Sequence, residues 1–319
     1  MSSALLKSND IKAQAQRLGF IACGLAKAEP VAEPFATHFR RWLQLGYHAE
    51  MDYMCRNIEM RLHPDLLVPG VQTVVSLAMN FMPAVHQPAI SLYAQGRDYH
   101  DVLRERMRQL MEACGLEGRA FVDTAPVLER YWAWKSGVGT YTQSGLVAVP
   151  GYGPTVFLCE LFLTDEADHY DEPIQPPSNS PQGGRTQSGE AAELSSPPLG
   201  GVRGGLFCPA LTPEGLDARR CISYQTIEHR GPLPADIRLG HTFYGCDRCL
   251  RATPQFAESH PTAEPAFQPS EALLAMKPDN WRDLTEEQYR MLFKGSAVKR
   301  AKFEGLKRNI ERWLTVSGK

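Results

Sequence analysis

Four cysteines in the second half of this 319-residue chain constrain its fold more than any other feature. Cys208, Cys221, Cys246 and Cys249 fall within 42 residues, and the last two form a Cys-x-x-Cys turn. Such a turn brings two sulfurs close enough to share one metal centre, and four thiolates are what a [4Fe-4S] cluster or an all-cysteine zinc site requires. We therefore expect the chain to fold so that these four side chains converge.

The proline after Cys208 favours iron and sulfide over zinc. In bacterial two-cluster ferredoxins, the cysteine before a proline ligates the other cluster, so Cys208 is predicted to join the three downstream cysteines. A full two-cluster module would also carry three cysteines just before Cys208 and one in place of Thr253, and the sequence has none at these positions. The sequence predicts one cluster without its neighbour, and zinc on the same ligands is the alternative.

The other cysteines and the overall charge narrow the class of protein. Cys23, Cys55, Cys114 and Cys159 lie far apart in apolar or helical contexts, so we interpret them as small buried side chains. No apolar run suits a signal peptide or a membrane span, so we expect a cytoplasmic protein with no membrane partner, where disulfides are rare. A net charge of −2 excludes a polybasic nucleic-acid binder, so any such contact must be local.

Composition and periodicity divide the chain into four predicted parts. Residues 1–170 alternate helical and strand patterns, as an α/β domain does. Residues 171–206 are a predicted disordered insertion, because 17 of the 30 residues from 176 to 205 are Gly, Pro or Ser. The cysteine module follows over 207–260, and a helical segment over 261–319 ends the chain.

Individual elements can be placed within these parts. Ser8, Asn9 and Asp10 offer capping chemistry to a first helix, and apolar spacing predicts a second helix from Tyr99 to Cys114. Further predicted elements are buried strands over 20–25, 73–78, 145–149 and 155–163, and helices over 286–292 and 297–314. The last region is locally basic through Lys294, Lys299, Arg300, Lys302, Lys307 and Arg308. This charge indicates either a solvated helix face or a phosphate contact.

Two polar clusters in the first part could carry chemistry. Asp123 follows the apolar residues 120–122, at the end of a predicted strand where α/β sheets bind ligands, but it could equally cap a helix beginning at Ala125 and Pro126. Arg97 and His100 lie just before a predicted helix, in a place suited to a cofactor amide or a phosphate. The alternative there is a plain helix start capped by Asp98. Glu129 and Arg130 are predicted to be an exposed pair on a helix.

Six separated blocks resemble the epoxyqueuosine reductase family, in the same order and almost from end to end. The blocks are YHAEMDYM (47–54), YAQGRDYH (93–100), FVDTAPVLER (121–130), LDARRCISYQTIE (216–228), YGCDRC (244–249) and FKGSAVKR (293–300). Together they are highly specific, whereas a single block, apart from 216–228, would be weak.

The resemblance implies an α/β (α+β) N-terminal cobalamin-binding domain, a ferredoxin-like iron-sulfur module and C-terminal helices. It implies reduction of the epoxide of epoxyqueuosine to an alkene in tRNA, with cobalamin and electrons from an external donor relayed through a [4Fe-4S] cluster. Asp123 matches the family's acid, which protonates the opening epoxide oxygen. Arg97 and His100 are predicted cofactor-binding residues, and Cys208, Cys221, Cys246 and Cys249 the metal ligands.

The chain departs from the family pattern in two places. After Lys135 the family has an aromatic residue, a glycine and a cation in a loop that lines the pocket, where this chain has Thr140, Thr142 and Gln143. The second-cluster ligands are also missing, with Thr253 in one of their places. Two alternatives follow: an inactive homologue that keeps one metal site and a tRNA or partner contact, and a reductase or corrinoid chaperone with another substrate.

Overall fold

The computed structural model describes residues 5–174 and 208–317. The predicted insertion over 171–206 lies, from residue 175 onward, outside the described residues. The helices are α1 Ser8–Arg17, α2 Glu33–Gln44, α3 Ile58–Leu62, α4 Pro64–Leu67, α5 Tyr99–Cys114, α6 Glu129–Lys135, α7 Ile222–Ile227, α8 Arg248–Arg251, α9 Glu271–Leu274, α10 Pro278–Arg282, α11 Glu286–Leu292 and α12 Lys302–Ser317. The strands are β1 Ala22–Lys27, β2 Thr73–Asn80, β3 Gly118–Phe121, β4 Thr140–Tyr141, β5 Val147–Ala148, β6 Val156–Leu163, β7 Leu211–Thr212 and β8 Gly215–Leu216.

A four-stranded sheet in the order β1-β2-β6-β3 forms the centre of the first part. Successive side chains of each strand point to opposite faces of the sheet, and helices cover both faces. Leu77 and Leu161 lie in the core cluster that contains α1 and α5, whereas Val74 and Phe162 lie in the cluster that contains α2 and α6. The mixed α/β class is thereby confirmed.

All pairings in this sheet are antiparallel, so the part belongs to the α+β type rather than to the alternating parallel type. Asp123 was expected at a strand end where α/β sheets bind ligands, and the rule behind that expectation does not apply to this antiparallel sheet. That rule depends on parallel strands whose carboxyl ends share one edge. Asp123 does follow β3, but its surroundings come from α5 and from its own turn.

A second core holds the C-terminal helices together. It contains Tyr244, Trp281, Phe293 and Ile310, all 1% exposed or less, and packs α10, α11 and α12 against the cysteine region. The predicted helix over 297–314 is split, because Ala297–Ala301 forms a 3-10 helix and Lys302 has φ 59°. The helix over 286–292 is confirmed with both ends.

Three basic side chains of this region are bound to the protein itself. Arg300 pairs with Glu228 at 2.9 Å, Arg308 donates to the Gln225 carbonyl at 2.9 Å, and Lys307 donates to the Arg282 carbonyl. Arg308 and Lys307 thereby hold α12 against α7 and α10, and Arg300 holds the 3-10 helix Ala297–Ala301 against the end of α7. Among the described residues, no helix is both long enough and apolar enough to cross a membrane.

The four isolated cysteines were predicted to be buried, and one of them is fully buried. Cys159 is fully buried, Cys23 and Cys114 are half-buried, and Cys55 is exposed. The prediction is wrong for Cys55 because it follows the 3-10 helix Asp52–Met54 at the surface, where its Sγ lies 3.2 Å from Nε2 of His48.

Candidate active site and thiol pocket

The four predicted ligands line one pocket. Cys208 precedes the β7–β8 hairpin, Cys221 is the residue before α7, and Cys246 and Cys249 flank the start of α8. The pocket holds about 360 Å³ of space, part of it open to solvent, and its other walls include Pro209, Leu216 and Ile222. The structure thus brings together the four residues that the sequence grouped. This shared pocket is called the thiol pocket below.

Burial raises the pKa of three of these thiols. It raises the pKa of Cys246 to about 11 and that of Cys249 to about 12, and the nearby thiols of Cys221, Cys246 and Cys208 add to the rise at Cys249. Burial also raises the pKa of Cys221, although backbone N–H groups of Tyr224 and Ser223 oppose it. Thiols in such a place ionise when a cation binds, because a metal stabilises thiolate over thiol.

The donor set fits an iron-sulfur cluster. Four cysteine sulfurs are its usual ligands, and all four line this one pocket. Within residues 5–174 and 208–317, no group of three or more His, Cys, Asp or Glu side chains is placed to hold a single metal ion.

Thr253, at the position where the sequence pattern predicts an absent second-cluster ligand, lies beside the thiol pocket. Its hydroxyl donates to the Cys249 carbonyl at 2.9 Å and lies 3.3 Å from the Ser144 hydroxyl. Ser144 belongs to the loop between β4 and β5, where Thr142 is buried and Gln143 is exposed. Both departures from the family pattern therefore meet at one point, next to Cys249.

Asp123 lies in a strained turn rather than at a helix start. Its φ is 54°, in the left-handed region that non-glycine residues seldom adopt, and aspartate is among those that tolerate it best. The capping alternative for Asp123 is wrong, because α6 begins only at Glu129, with Leu128 as the residue before it. Its side chain is 63% exposed and free to face a ligand.

Two consecutive residues of α5 hold the Asp123 carboxylate. The Tyr99 hydroxyl donates to Oδ2 of Asp123, and Nε2 of His100 lies 3.5 Å from the same oxygen. Nδ1 of His100 lies 2.7 Å from Oδ1 of Asp98, which also accepts from the His100 backbone N–H and caps α5. Asp98 is confirmed as the cap, and His100 nevertheless reaches Asp123.

These contacts set the charges of the site. Partial desolvation by the surrounding protein atoms would by itself raise the pKa of Asp123, but hydrogen bonds from His100 and Tyr99 outweigh it and lower that pKa. Burial alone would lower the pKa of His100, but bonds to Asp123 and Asp98 raise it to about 9. At neutral pH the site therefore holds an imidazolium between two carboxylates.

Arg97 and Arg130 differ in their relation to the site. Arg97 is exposed, and its backbone N–H donates to the Ala266 carbonyl at 2.7 Å. Arg130 donates to the Gly145 carbonyl at 3.1 Å, and its charge lowers the pKa of both Asp123 and Cys249. The charge of Arg130 therefore affects both the Asp123 carboxylate and a cysteine of the thiol pocket.

Two buried carboxyl groups were missed by the sequence. Burial raises the pKa of Glu129 to about 7, and the nearby Asp123 adds to the rise; burial and the nearby Glu129 raise the pKa of Glu160 well above its usual value. Glu160 is fully buried and its Oε1 accepts from the Ser76 hydroxyl at 3.1 Å, while Oε2 of Glu160 and Oε1 of Glu129 are buried without a partner in the described part of the chain. The prediction that Glu129 and Arg130 form an exposed pair is thus wrong for Glu129. A glutamate inside the apolar run 155–163 was the available signal for Glu160.

Comparison with known proteins decides the family. A family model described as epoxyqueuosine reductase QueG, DUF1730, matches residues 61–124. The epoxyqueuosine reductase of Cellulophaga algicola is 35% identical over 315 residues, which is 95% of this chain and 97% of the relative. That of Leadbetterella byssophila is 36% identical over 318 residues, with the same coverage. The chain belongs to the epoxyqueuosine reductase family.

Solved structures agree in fold. The epoxyqueuosine reductase of Streptococcus thermophilus aligns with a TM-score of 0.80 at 21% identity, over 98% of this chain and 81% of that one. An epoxyqueuosine reductase crystallised with an epoxyqueuosine-modified tRNA-Tyr stem loop aligns with a TM-score of 0.78 at 21% identity, over 97% and 80%. The resemblance to the epoxyqueuosine reductase family that the six sequence blocks indicated is confirmed. The family-model match ends one residue after Asp123.

Proposed function

We propose that this chain is an oxidoreductase that reduces epoxyqueuosine to queuosine in tRNA, with Asp123 as its acid. Family membership over 95% of the chain supports the reaction. The observation that carries the residue assignment is the Asp123 carboxylate, exposed to ligand and held by Tyr99 and His100. Conversion of the epoxide to an alkene consumes two electrons and two protons and releases water, so a positioned proton source is required.

His100 and Asp123 together supply the proton. Asp123 is ionised at neutral pH, whereas His100 is protonated and has its Nε2 3.5 Å from Oδ2 of Asp123. The proton passes from His100 to Asp123 and then to the epoxide oxygen, and solvent reprotonates His100. Asp98 and Tyr99 keep both groups in place during this transfer. A positioned acid contributes roughly 10²- to 10⁴-fold to rate.

Cys208, Cys221, Cys246 and Cys249 are proposed to hold one [4Fe-4S] cluster that passes electrons from an external donor. The four sulfurs around one pocket support this assignment. A corrinoid is proposed as the second cofactor, since it supplies a strong metal-centred nucleophile for opening an epoxide. The Asp123 side chain is exposed and so accessible to a corrinoid, with Arg97 and His100 proposed as contacts for the polar side chains of that cofactor.

Metal content and turnover test these assignments together. Anaerobically purified protein is expected to contain about four iron and four sulfide per chain and, after incubation with cobalamin, to bind one corrinoid. It is expected to convert an epoxyqueuosine-modified tRNA stem loop when given a low-potential donor. Zinc in place of iron, or no corrinoid binding, would contradict the cofactor proposal.

A second candidate function rests on Thr253 and the loop over 140–144. Both lie beside Cys249, and Thr253 cannot supply a thiolate. This arrangement favours a homologue that keeps one metal site and binds tRNA without turnover. Complementation of a bacterial strain that lacks its own enzyme separates the two: queuosine in its tRNA supports the reductase, and tRNA binding without queuosine supports the alternative.

A further inference from the structure

The aspartate inside the Cys-x-x-Cys turn forms hydrogen bonds with a neighbouring segment of the chain. Asp247 lies between Cys246 and Cys249, and its carboxylate accepts hydrogen bonds from the Ser91 hydroxyl and, at 3.1 Å, from the Leu92 N–H. Ser91 and Leu92 begin the 3-10 helix Leu92–Ala94, which leads directly into the start of α5. The turn that carries two ligands is thus tied to the segment that positions the acid.

The backbone joins the same two segments closely. The Ser91 N–H donates to the Tyr244 carbonyl at 2.9 Å, and Ile90 pairs with Tyr244 as an isolated parallel bridge. Gly245 has φ 71°, and a Cβ placed there would come within 2.5 Å of the Ser91 Cβ. The two segments therefore touch without space for a side chain at Gly245, so displacement of one displaces the other.

A column of three tyrosines forms a second connection. The Tyr93 hydroxyl donates to the Tyr244 hydroxyl at 3.3 Å, and the Tyr244 hydroxyl donates to the Ala297 carbonyl at 2.7 Å. The ring centroids of Tyr93 and Tyr99 are 6.2 Å apart at 76°, an edge-to-face contact. Tyr99 in turn donates to Asp123, so the column runs from a residue two positions before Cys246 to the acid.

Both rings that end this column are fixed by packing. Tyr244 is fully buried, and Tyr99 stacks on Phe157 with ring centroids 4.2 Å apart. Close-packed interiors move between discrete arrangements instead of deforming continuously. Cluster assembly draws four sulfurs to one centre and thereby fixes the turn of Cys246, Asp247 and Cys249. The two connections carry this constraint to α5.

We propose that Ser91, Tyr93 and Asp247 are positioning residues through which filling of the thiol pocket orders the Tyr99, His100 and Asp123 site. The proposal rests on the proposed function for its catalytic consequence, because Asp123 is the acid there. Its structural content, a coupling between cluster assembly and the order of residues 91–100, is independent of turnover. The enzyme would then hold its acid correctly only when the electron-carrying site is assembled.

Hydrogen exchange measures this coupling directly. Full-length protein without iron is compared with the same protein reconstituted with ferrous iron and sulfide. In the wild type, reconstitution is expected to slow amide exchange over residues 97–103 by about tenfold, since local opening there becomes costlier. Ser91→Ala and Tyr93→Phe are expected to take up the same iron as the wild type and to lose most of that slowing. Tyr289→Phe, a buried tyrosine of the C-terminal core, is the control and is expected to behave as the wild type.

The outcomes separate this proposal from the proposed function. Equal exchange with and without iron in the wild type overturns the coupling, even if the enzyme is active. Slowing that persists in both variants assigns the coupling to other residues and overturns the roles of Ser91 and Tyr93. Loss of slowing in the variants, with wild-type iron content and an altered pH profile of epoxide reduction, supports the proposal. Slowing in a protein without reductase activity supports the coupling and contradicts only the proposed function.

Discussion

Nε2 of His100 lies 3.5 Å from Oδ2 of Asp123, and the two residues come from different elements 23 positions apart in the chain. The pair exists because Asp123 adopts a positive φ and because α5 presents consecutive side chains, Tyr99 and His100, toward it. An ionised carboxylate beside a protonated imidazole places a proton acceptor next to a proton donor, which is what the proposed acid catalysis requires.

Replacement of Asp123 by asparagine tests the acid. Asp123→Asn keeps the size of the side chain but removes its ability to carry a proton. We expect kcat for epoxide reduction to fall by roughly 10²- to 10⁴-fold while iron content stays unchanged. Asp101→Asn is the matched control, because Asp101 is an exposed carboxylate on α5 that pairs with Arg104 at 3.8 Å. A rate within twofold of the wild type for Asp123→Asn would show that another group delivers the proton.

His100 predicts a loss of stability as pH rises. Hydrogen bonds to Asp123 and Asp98 raise its pKa to about 9 against the opposing effect of burial, so the folded state holds a proton that the unfolded state releases above about pH 6.5. The stabilisation is complete below pH 6.5 and is lost between pH 6.5 and 9, with a size on the order of 2 kcal/mol. Thermal unfolding across this range is expected to be flatter for His100→Gln.

The control for this pH series is His241→Gln, at an exposed turn position. Its unfolding temperature is expected to follow the wild-type curve at every pH. If His100→Gln retained the full wild-type slope between pH 6.5 and 9, the imidazolium at His100 would not be the source of the pH dependence.

Glu160 is a buried carboxyl group that the folded protein keeps neutral, whereas it keeps His100 charged. Burial and the nearby Glu129 raise its pKa well above the usual value, so the folded protein keeps it protonated and loses stability as pH rises above the unfolded value near 4.5. Glu160→Gln removes this titration and keeps the side-chain shape. At pH 8 we expect a gain of about 1 to 2 kcal/mol, seen as a rise of roughly 2 to 6 °C in unfolding temperature. Glu166→Gln, at an exposed position, is expected to change little.

Two glycines predict opposite effects of the same substitution. A Cβ at Gly24 in β1 would come within 1.9 Å of the Ser136 carbonyl oxygen, so Gly24→Ala must push the sheet away from the end of α6. We expect it to cost about 2 kcal/mol or more. Gly305 in α12 meets only the Ala301 Cβ at 3.8 Å, and Gly305→Ala is expected to stabilise by about 0.5 to 1 kcal/mol. Urea unfolding of both variants measures the difference, and equal effects would contradict the close contact at Gly24.

Local and chemical features of this protein could be predicted from the chain alone. Helical spacing predicted α5 at Tyr99–Cys114, Asp98 was one of two interpretations offered for the start of α5, and the Cys-Pro and Cys-x-x-Cys patterns grouped the four residues that line the thiol pocket. These features depend on side-chain type and short spacing, which the chain carries directly. The six family blocks likewise identified the family.

The contacts between distant segments could be read only from the folded chain. The antiparallel order β1-β2-β6-β3, the burial of Glu129 and Glu160, and the contact of His100 with Asp123 all join residues far apart in sequence. A periodic pattern states which face of an element is buried but not which element covers it, and the positive φ of Asp123 is set by its surroundings. For that reason the cap at Asp98 could be predicted from the chain, whereas the role of its neighbour His100 required the fold.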